Sequence, residues 1–189
     1  MLKSSDSGAD NLGQVHYYYG EGKGKTTAAL GLALRALGAG LRVAVLLLAK
    51  TTESSEFAPL EAIGQNQLRL EAFGLPLVDG KYQWLKPGKL TPEQLALGRR
   101  ALEEAERTLV SGQFDLVILD EFADGPSLGL MAEADLLAAL ESRAPGTEVV
   151  LTGHKPLEAL VQYADLVSEV RKVKHYFDAG VPARRGIEC

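Results

Sequence analysis

The chain holds a single cysteine, Cys189, its last residue. No disulfide can form within it, so a reducing cytoplasm is the expected compartment. Long apolar runs are also missing. The longest, Val43 to Ala49, falls far short of the roughly 20 residues that a membrane-spanning helix needs. The opening stretch MLKSSDSGADNLG has no apolar segment of the kind a secretory signal requires. An excess of positive charge is absent too. Lys and Arg number 20 against 25 Asp and Glu, a net charge of −5. That balance argues against a general nucleic-acid binder, though not against a local basic pocket for an anion. Repeats and low-complexity tracts are lacking.

What is present is an ordinary globular balance, 46% apolar and 24% charged over 189 residues. This suits one domain with a sizeable core. Residues 1–13 are polar and are expected to form a mobile arm, leaving 14–189 as a single α/β domain. Strand and helix signals alternate along it. Gln14–Tyr19 is a short aromatic strand, and Lys25–Leu37 a helix so apolar that it should be mostly buried. Residues 42–49 are continuously apolar, as a strand covered on both faces must be. A short helix over Ala58–Gly64 and a strand over 68–73 follow.

Residues 74–90 hold three glycines and two prolines and are expected to form a long loop of the kind that serves as a lid or binding loop. Thr91-Pro92-Glu93 then starts a helix with a cap, a proline and an acid. Leu95, Ala101, Leu102, Ala105 and Leu109 make its expected buried stripe. Strands at 114–122, 147–153 and within 166–173 alternate with helices at Met131–Leu140 and Pro156–Tyr163. The residues after Val173 show no period. The alternation implies a mainly parallel sheet with right-handed crossovers, in three layers.

The chemistry gathers at the first strand-to-helix junction. Gly20-Glu21-Gly22-Lys23-Gly24-Lys25-Thr26-Thr27 has the makings of a phosphate-binding loop. Glycines let backbone N–H groups approach phosphate oxygens, and the helix starting near Lys25 points its positive end at the same place. Lys25 supplies a mobile cation, and the Thr26 hydroxyl can join a magnesium shell. The usual spacing would put a glycine at position 19, where this chain has Tyr19. Either Tyr19 takes the first loop position or the loop is one residue tighter. Val117-Ile118-Leu119-Asp120-Glu121 is an apolar strand ending in two acids, a pattern that places a metal-holding aspartate opposite such a loop. The two motifs in this order and context point to a P-loop NTPase-like, RecA-like fold that binds a nucleoside triphosphate, with its ligand at the carboxyl ends of the strands.

The string at 19–29, with Leu119-Asp120-Glu121, Thr152-Gly153, Ala164–Glu169, Lys174-His175, Phe177–Gly180 and Gly186-Ile187-Glu188, resembles the ATP:corrinoid adenosyltransferases of cobalamin biosynthesis and salvage. The resemblance spans roughly residues 14–189. It implies transfer of the 5′-deoxyadenosyl group of ATP to the cobalt of a cob(I) corrinoid, with release of intact triphosphate. It also implies that ATP lies reversed, with its γ-phosphate deep in the loop. By this resemblance Lys25, Thr26 and Glu121 serve the reaction. Thr26, Asp120 and Glu121 hold Mg²⁺, with Mn²⁺ as an alternative. Gly20, Glu21, Gly22, Lys23, Gly24, Thr27, Lys50, His154, Lys174 and His175 meet the substrates. A homodimer and a flavoprotein reductase are implied as partners, with no nucleic acid and no membrane.

Two positions depart from the family pattern. Gly74-Leu75-Pro76-Leu77 stands where the family has Gly-Phe-x-Trp, leaving Phe73, Tyr82 and Trp84 as the nearby aromatics. His154 stands where the family turn has arginine, and a histidine is charged only part of the time near neutral pH. His16 is expected to be a packed or edge residue, and Arg184-Arg185 a solvated charge pair. Two other functions fit the residues: a RecA-like ATP-hydrolysing motor subunit, which would use Glu121, and a non-catalytic nucleotide switch moving residues 74–90. The net acidity and the lack of a nucleic-acid-binding insertion count against the motor.

Overall fold

The computed structural model describes residues 12–51, 55–75 and 85–188. Among the described residues the strands are β1 (Val15–Tyr19), β2 (Val43–Leu48), β3 (Leu68–Phe73), β4 (Leu116–Asp120), β5 (Glu148–Gly153) and β6 (Leu166–Glu169). They form one sheet in the order β3-β2-β4-β5-β1-β6, and every pairing is parallel. The helices are α1 (Lys25–Gly38), α2 (Phe57–Gly64), α3 (Pro92–Val110), α4 (Gly125–Leu128), α5 (Glu133–Glu141) and α6 (Glu158–Tyr163).

Each face of the sheet has its own core. Ala29, Ala33 and Leu37 of α1 and Phe57 and Leu60 of α2 pack on Val43, Val45, Leu47, Ile118 and Val150. Ala101, Ala105 and Leu109 of α3, Leu136 and Leu140 of α5 and Leu160 of α6 pack on Ala44, Leu46, Leu48, Val117, Leu119 and Leu151. Neighbouring residues of β2 therefore belong to opposite cores, which is why VAVLLL is apolar without alternation. Each buried valine, leucine, isoleucine or phenylalanine contributes about 1.5–3 kcal/mol by leaving water. The result is a three-layer P-loop α/β fold.

Sheet order decides what meets at the carboxyl edge. β5 lies between β1, which leads into the glycine loop, and β4, which ends in Asp120. Pairing of Tyr19 with Gly153 and of Leu119 with Leu151 puts the loop, Asp120 and the end of β5 side by side. The same edge receives Lys50, two residues beyond β2.

Several expectations change in detail. Helix α1 buries one face only, and Leu34 remains 48% exposed, because an outer-layer helix meets the sheet on a single side. Leu95 is exposed, since the buried stripe of α3 runs through Gly98, Ala101, Ala105 and Leu109 instead. The start of α3 forms as read: the Thr91 hydroxyl accepts from the Gln94 N–H and the Gln94 side chain accepts from the Thr91 N–H. Helix α5 starts at Glu133 and not at Met131, and α4 was not foreseen. Tyr176–Ala179 makes a single 3₁₀ turn in the stretch that showed no period. His16 takes the packed one of its two expected positions, because β1 runs between β5 and β6; its Nε2 pairs with Glu148 Oε1 at 2.8 Å. Residues 1–11 of the expected arm lie outside the described residues. Gly13 is anchored, its N–H donating to Glu148 and its carbonyl accepting from Arg143.

Candidate active site

Tyr19 is the last residue of β1 and pairs on both sides, so the loop begins at Gly20 and is the tighter of the two alternatives. The turn is set by contact with the chain leaving β6. The Gly20 N–H donates to Gly153 O (3.1 Å) and the Gly22 N–H to Val170 O (2.8 Å). Gly20 has φ +125°, and a Cβ there would stand 2.4 Å from Val170 O; at Gly22 it would stand 2.7 Å from the same oxygen. These two glycines are required by packing against residues 170–171 as much as by any ligand.

Beyond them the backbone opens. The amides of Lys23, Gly24, Lys25, Thr26 and Thr27 donate to no backbone carbonyl among the described residues. They form the positive end of α1, a ready anion cradle. Lys25 Nζ spans the loop, donating to Gly20 O at 2.6 Å and Gly22 O at 3.0 Å. Burial lowers its pKa, against the attraction of Glu121 and Asp124.

Asp120 is fully buried and is met from three elements. Oδ1 accepts from the Thr26 hydroxyl (3.0 Å) and from the Thr152 hydroxyl (2.8 Å), and Oδ2 from Lys50 Nζ (2.7 Å). Lys50 also reaches Thr26 Oγ1 at 3.1 Å and Glu121 Oε1 at 3.0 Å. Burial works to lower the Lys50 pKa, but Asp120 and Glu121 outweigh it and hold the ammonium charged. Lys50 is aimed here by two local devices. Ala49 adopts φ +58°, turning the chain out of β2, and Gly74 leaves room for Lys50 O, which a Cβ would approach to 2.2 Å. Glu121 has φ +62° as well, held by its N–H donating to Thr152 Oγ1 at 2.8 Å. Non-glycine residues in this region cost of order 1–3 kcal/mol each, so the surrounding contacts must impose them. Burial raises the Glu121 pKa, with Lys50 opposing.

The turn after β5 is equally constrained. Buried Tyr17 of β1 donates its hydroxyl to Lys155 O (2.6 Å) and accepts from the Leu157 N–H (3.3 Å). Burial pushes its phenol up to about 12. Asp124 accepts from the His154 N–H through Oδ1 (2.8 Å) and contacts His154 Nδ1 through Oδ2 (2.7 Å). That carboxylate raises the His154 pKa.

The carboxyl-terminal stretch closes on the loop. Lys23 Nζ donates to Ile187 O (2.8 Å) and to Glu188 Oε1 (3.2 Å). Glu188 also takes Arg184 and the Tyr176 hydroxyl, which hold its carboxyl well below the usual range. Arg184 is thus engaged, lying over the Tyr176 ring at 4.7 Å, and not simply solvated.

These elements surround a cleft of about 910 Å³, lined by residues 22–27, Leu30, Ala49, Lys50, Glu56, Glu121, Asp124, Ser127, His154, Lys155 and 186–188, among others. Of the residues singled out in the sequence, Gly22, Lys23, Gly24, Lys25, Thr26, Thr27, Lys50, Glu121 and His154 come together here. Asp120 lies beneath them, wholly covered. Gly20 and Glu21 are in the loop but outside the lining. Lys174 and His175 do not line the cleft: Lys174 is exposed, and His175 Nδ1 accepts from the Phe177 N–H at 3.1 Å. Phe73 is buried in the core. Pro76, Leu77, Tyr82 and Trp84 fall outside the described residues. Thr152 and Asp124 went unforeseen as site residues, and so did Lys155. No group of three His, Cys, Asp or Glu side chains with metal-holding geometry occurs among the described residues, and no described helix is long and apolar enough to cross a membrane.

Sequence comparison agrees with this geometry. A corrinoid adenosyltransferase of Escherichia coli (strain K12) is 34% identical over 184 residues, covering 95% of this chain and 87% of the relative. The corrinoid adenosyltransferase of Salmonella typhimurium (strain LT2) is 32% identical over 180 residues, at 95% and 87%. One from Pseudomonas aeruginosa is 28% identical over 179 residues, at 95% and 85%. The family model described as "ATP:corrinoid adenosyltransferase BtuR/CobO/CobP" matches residues 11–189, nearly the whole chain, and with relatives this similar over this length the protein belongs to that family of transferases.

Proposed function

We propose that the chain transfers the 5′-deoxyadenosyl group of ATP to the cobalt of a cob(I) corrinoid, cobalamin or cobyrinic acid a,c-diamide, and releases triphosphate. The electron pair of cob(I) forms the bond to C5′. The C5′–O bond breaks, and its electrons leave on the triphosphate. The corrinoid brings the nucleophile, so the protein need not generate one.

The observation that carries this reading is the arrangement around Lys25. Five amides that donate to no backbone carbonyl among the described residues, with Lys25, Lys50, His154 and Lys155, lie along the cleft, a site suited to charge that concentrates as a polyphosphate departs. Glu121, which a hydrolase would use to activate water, is engaged by Lys50 at 3.0 Å. In this reading it positions Lys50 and balances its charge. Lys23 serves with the carboxyl-terminal stretch to close the loop over the phosphates.

The oxygens of Thr26 and Asp120 suit a hard cation, and their separation of 3.0 Å lets them share one. Mg²⁺, or Mn²⁺, would be held by Thr26, Asp120 and Glu121. When bound it neutralises charge on the leaving triphosphate. Lys50 performs part of that task from the protein side. The electrons that make cob(I) come from another protein, a flavoprotein reductase in this reading, and the active molecule is a homodimer.

The test is adenosylation across a corrinoid series, from cobyrinic acid a,c-diamide through cobinamide to cobalamin, each chemically reduced and supplied with Mg-ATP. Adenosylcorrinoid should appear by its absorption spectrum with at least one acceptor. No product with any of them removes the proposal.

A further inference from the structure

Asp124 has no part in the phosphate-loop or strand-end motifs, yet it is 92% buried at the rim of the cleft, with 8% of its surface exposed. Both its oxygens are spent on one neighbour: Oδ1 takes the His154 backbone N–H at 2.8 Å and Oδ2 meets His154 Nδ1 at 2.7 Å. Gly153 allows this approach. A Cβ there would meet Ala123 Cβ at 2.8 Å and Asp124 Oδ1 at 3.4 Å. Tyr17 fixes the chain just beyond His154, at Lys155 and Leu157. The imidazole is therefore held at its backbone and at one ring nitrogen. The other nitrogen, Nε2, remains for the cleft, which the half-exposed His154 side chain lines.

We propose that Asp124 is a positioning residue: it fixes His154 so that the Nε2–H is donated to the polyphosphate of the nucleotide. This rests on the nucleotide occupying the cleft as proposed above and adds which side chain meets its phosphates from β5. The charges facing His154 are Asp124 from the turn after β4, Glu121 at the end of β4 and Lys25 at the start of α1. Asp124 is the largest of these influences and favours the imidazolium, as Glu121 does, while Lys25 opposes it. His154 is thus cationic to a higher pH than a free imidazole. As pH rises through its titration, Nδ1–H stays on the carboxylate and Nε2 loses its proton, turning the cleft-facing atom from donor to acceptor.

Asp124→Asn keeps an oxygen for the His154 N–H while its amide donates to Nδ1. The neutral ring then carries its proton on Nε2. His154→Arg supplies a permanent cation, and His154→Gln removes the titrating group. The probe is inorganic triphosphate with Mg²⁺, its Kd measured by calorimetry from pH 6 to 9, beside NMR titration of the His154 ring. For the natural chain, affinity should fall about tenfold more steeply across this range than for His154→Arg, the loss expected for one charge-assisted hydrogen bond at a half-exposed site. The Arg variant also cancels the triphosphate's own ionisation. Asp124→Asn should bring the ring titration to lower pH and shrink the affinity limb there, because the neutral ring keeps its Nε2–H, and His154→Gln should bind weakly throughout. If His154→Gln keeps the natural affinity and limb, or if Asp124→Asn leaves the limb unchanged, the proposal is overturned. Loss of adenosyl transfer with intact, pH-dependent triphosphate binding would sink the proposed function alone.

Discussion

Lys50 Nζ lies 2.7 Å from Asp120 Oδ2 and 3.0 Å from Glu121 Oε1, and so ties buried Asp120 and partly exposed Glu121, at the end of β4, to the chain leaving the neighbouring strand β2. It is the counter-cation of the site. Its removal would leave two adjacent carboxylates without their counter-charge, Asp120 keeping only the Thr26 and Thr152 hydroxyls.

Lys50→Met should therefore destabilise the protein by about 3–5 kcal/mol at neutral pH. The pH dependence has a definite sign. The folded-state pKa of Glu121 is already raised by burial and would climb further without Lys50. A raised carboxylate favours the folded state below its unfolded pKa, and that advantage is lost as pH rises through the folded value. The variant should regain stability relative to the natural chain as pH falls toward 5. Urea denaturation at several pH values reads this directly, and a deficit independent of pH would contradict it.

Thr152→Val should show what holds Asp120 and Glu121 in place. The Thr152 hydroxyl donates to Asp120 Oδ1 and accepts from the Glu121 N–H, both at 2.8 Å. Valine keeps the volume and leaves that N–H without its partner, a cost of about 1–3 kcal/mol. The turnover rate should fall along with stability, because Glu121 would relax from φ +62°. Unchanged turnover would show that this backbone conformation does not matter to the reaction.

The role of Thr152 was not legible in the sequence, and the reason is geometric. Phosphate loop, strand-end aspartate and helix cap are local patterns of spacing and could be read, as could β3, whose limits came out as expected. Thr152 meets Asp120 only because β5 pairs with β4 in register Leu119 to Leu151, and strand order is a property of the sheet. Asp124 hid in Phe122–Leu128, where a glycine and a proline suggest a loop while the chain makes a 3₁₀ turn and a short helix. Lys50 could be noticed as a strand-end lysine, but its aim depends on Ala49 at φ +58°, which alanine does not advertise.

Gly22→Ala should damage the loop through its neighbour. The added Cβ would stand 2.7 Å from Val170 O and 2.8 Å from Arg171 C, both backbone atoms. Overpacking of this kind costs roughly 1–3 kcal/mol. Hydrogen exchange should quicken at residues 166–171 as well as in the loop. Exchange confined to residues 20–24 would mean that the β6 exit does not shape the loop.

Lys25→Ala should abolish measurable Mg-ATP binding and transfer together while the fold survives. Among the described residues its ammonium bonds only to the carbonyls of Gly20 and Gly22, and it supplies a mobile cation to the amide cradle. Calorimetry with Mg-ATP and circular dichroism together test this. Retained turnover would displace the phosphates from this loop.

The most direct measurement is the identity of the phosphate released from Mg-ATP with and without chemically reduced cobalamin. Attack at C5′ predicts intact triphosphate, formed only when the reduced corrinoid is present. Orthophosphate released without corrinoid, at a rate comparable with adenosylation, would contradict it and make the protein a hydrolase.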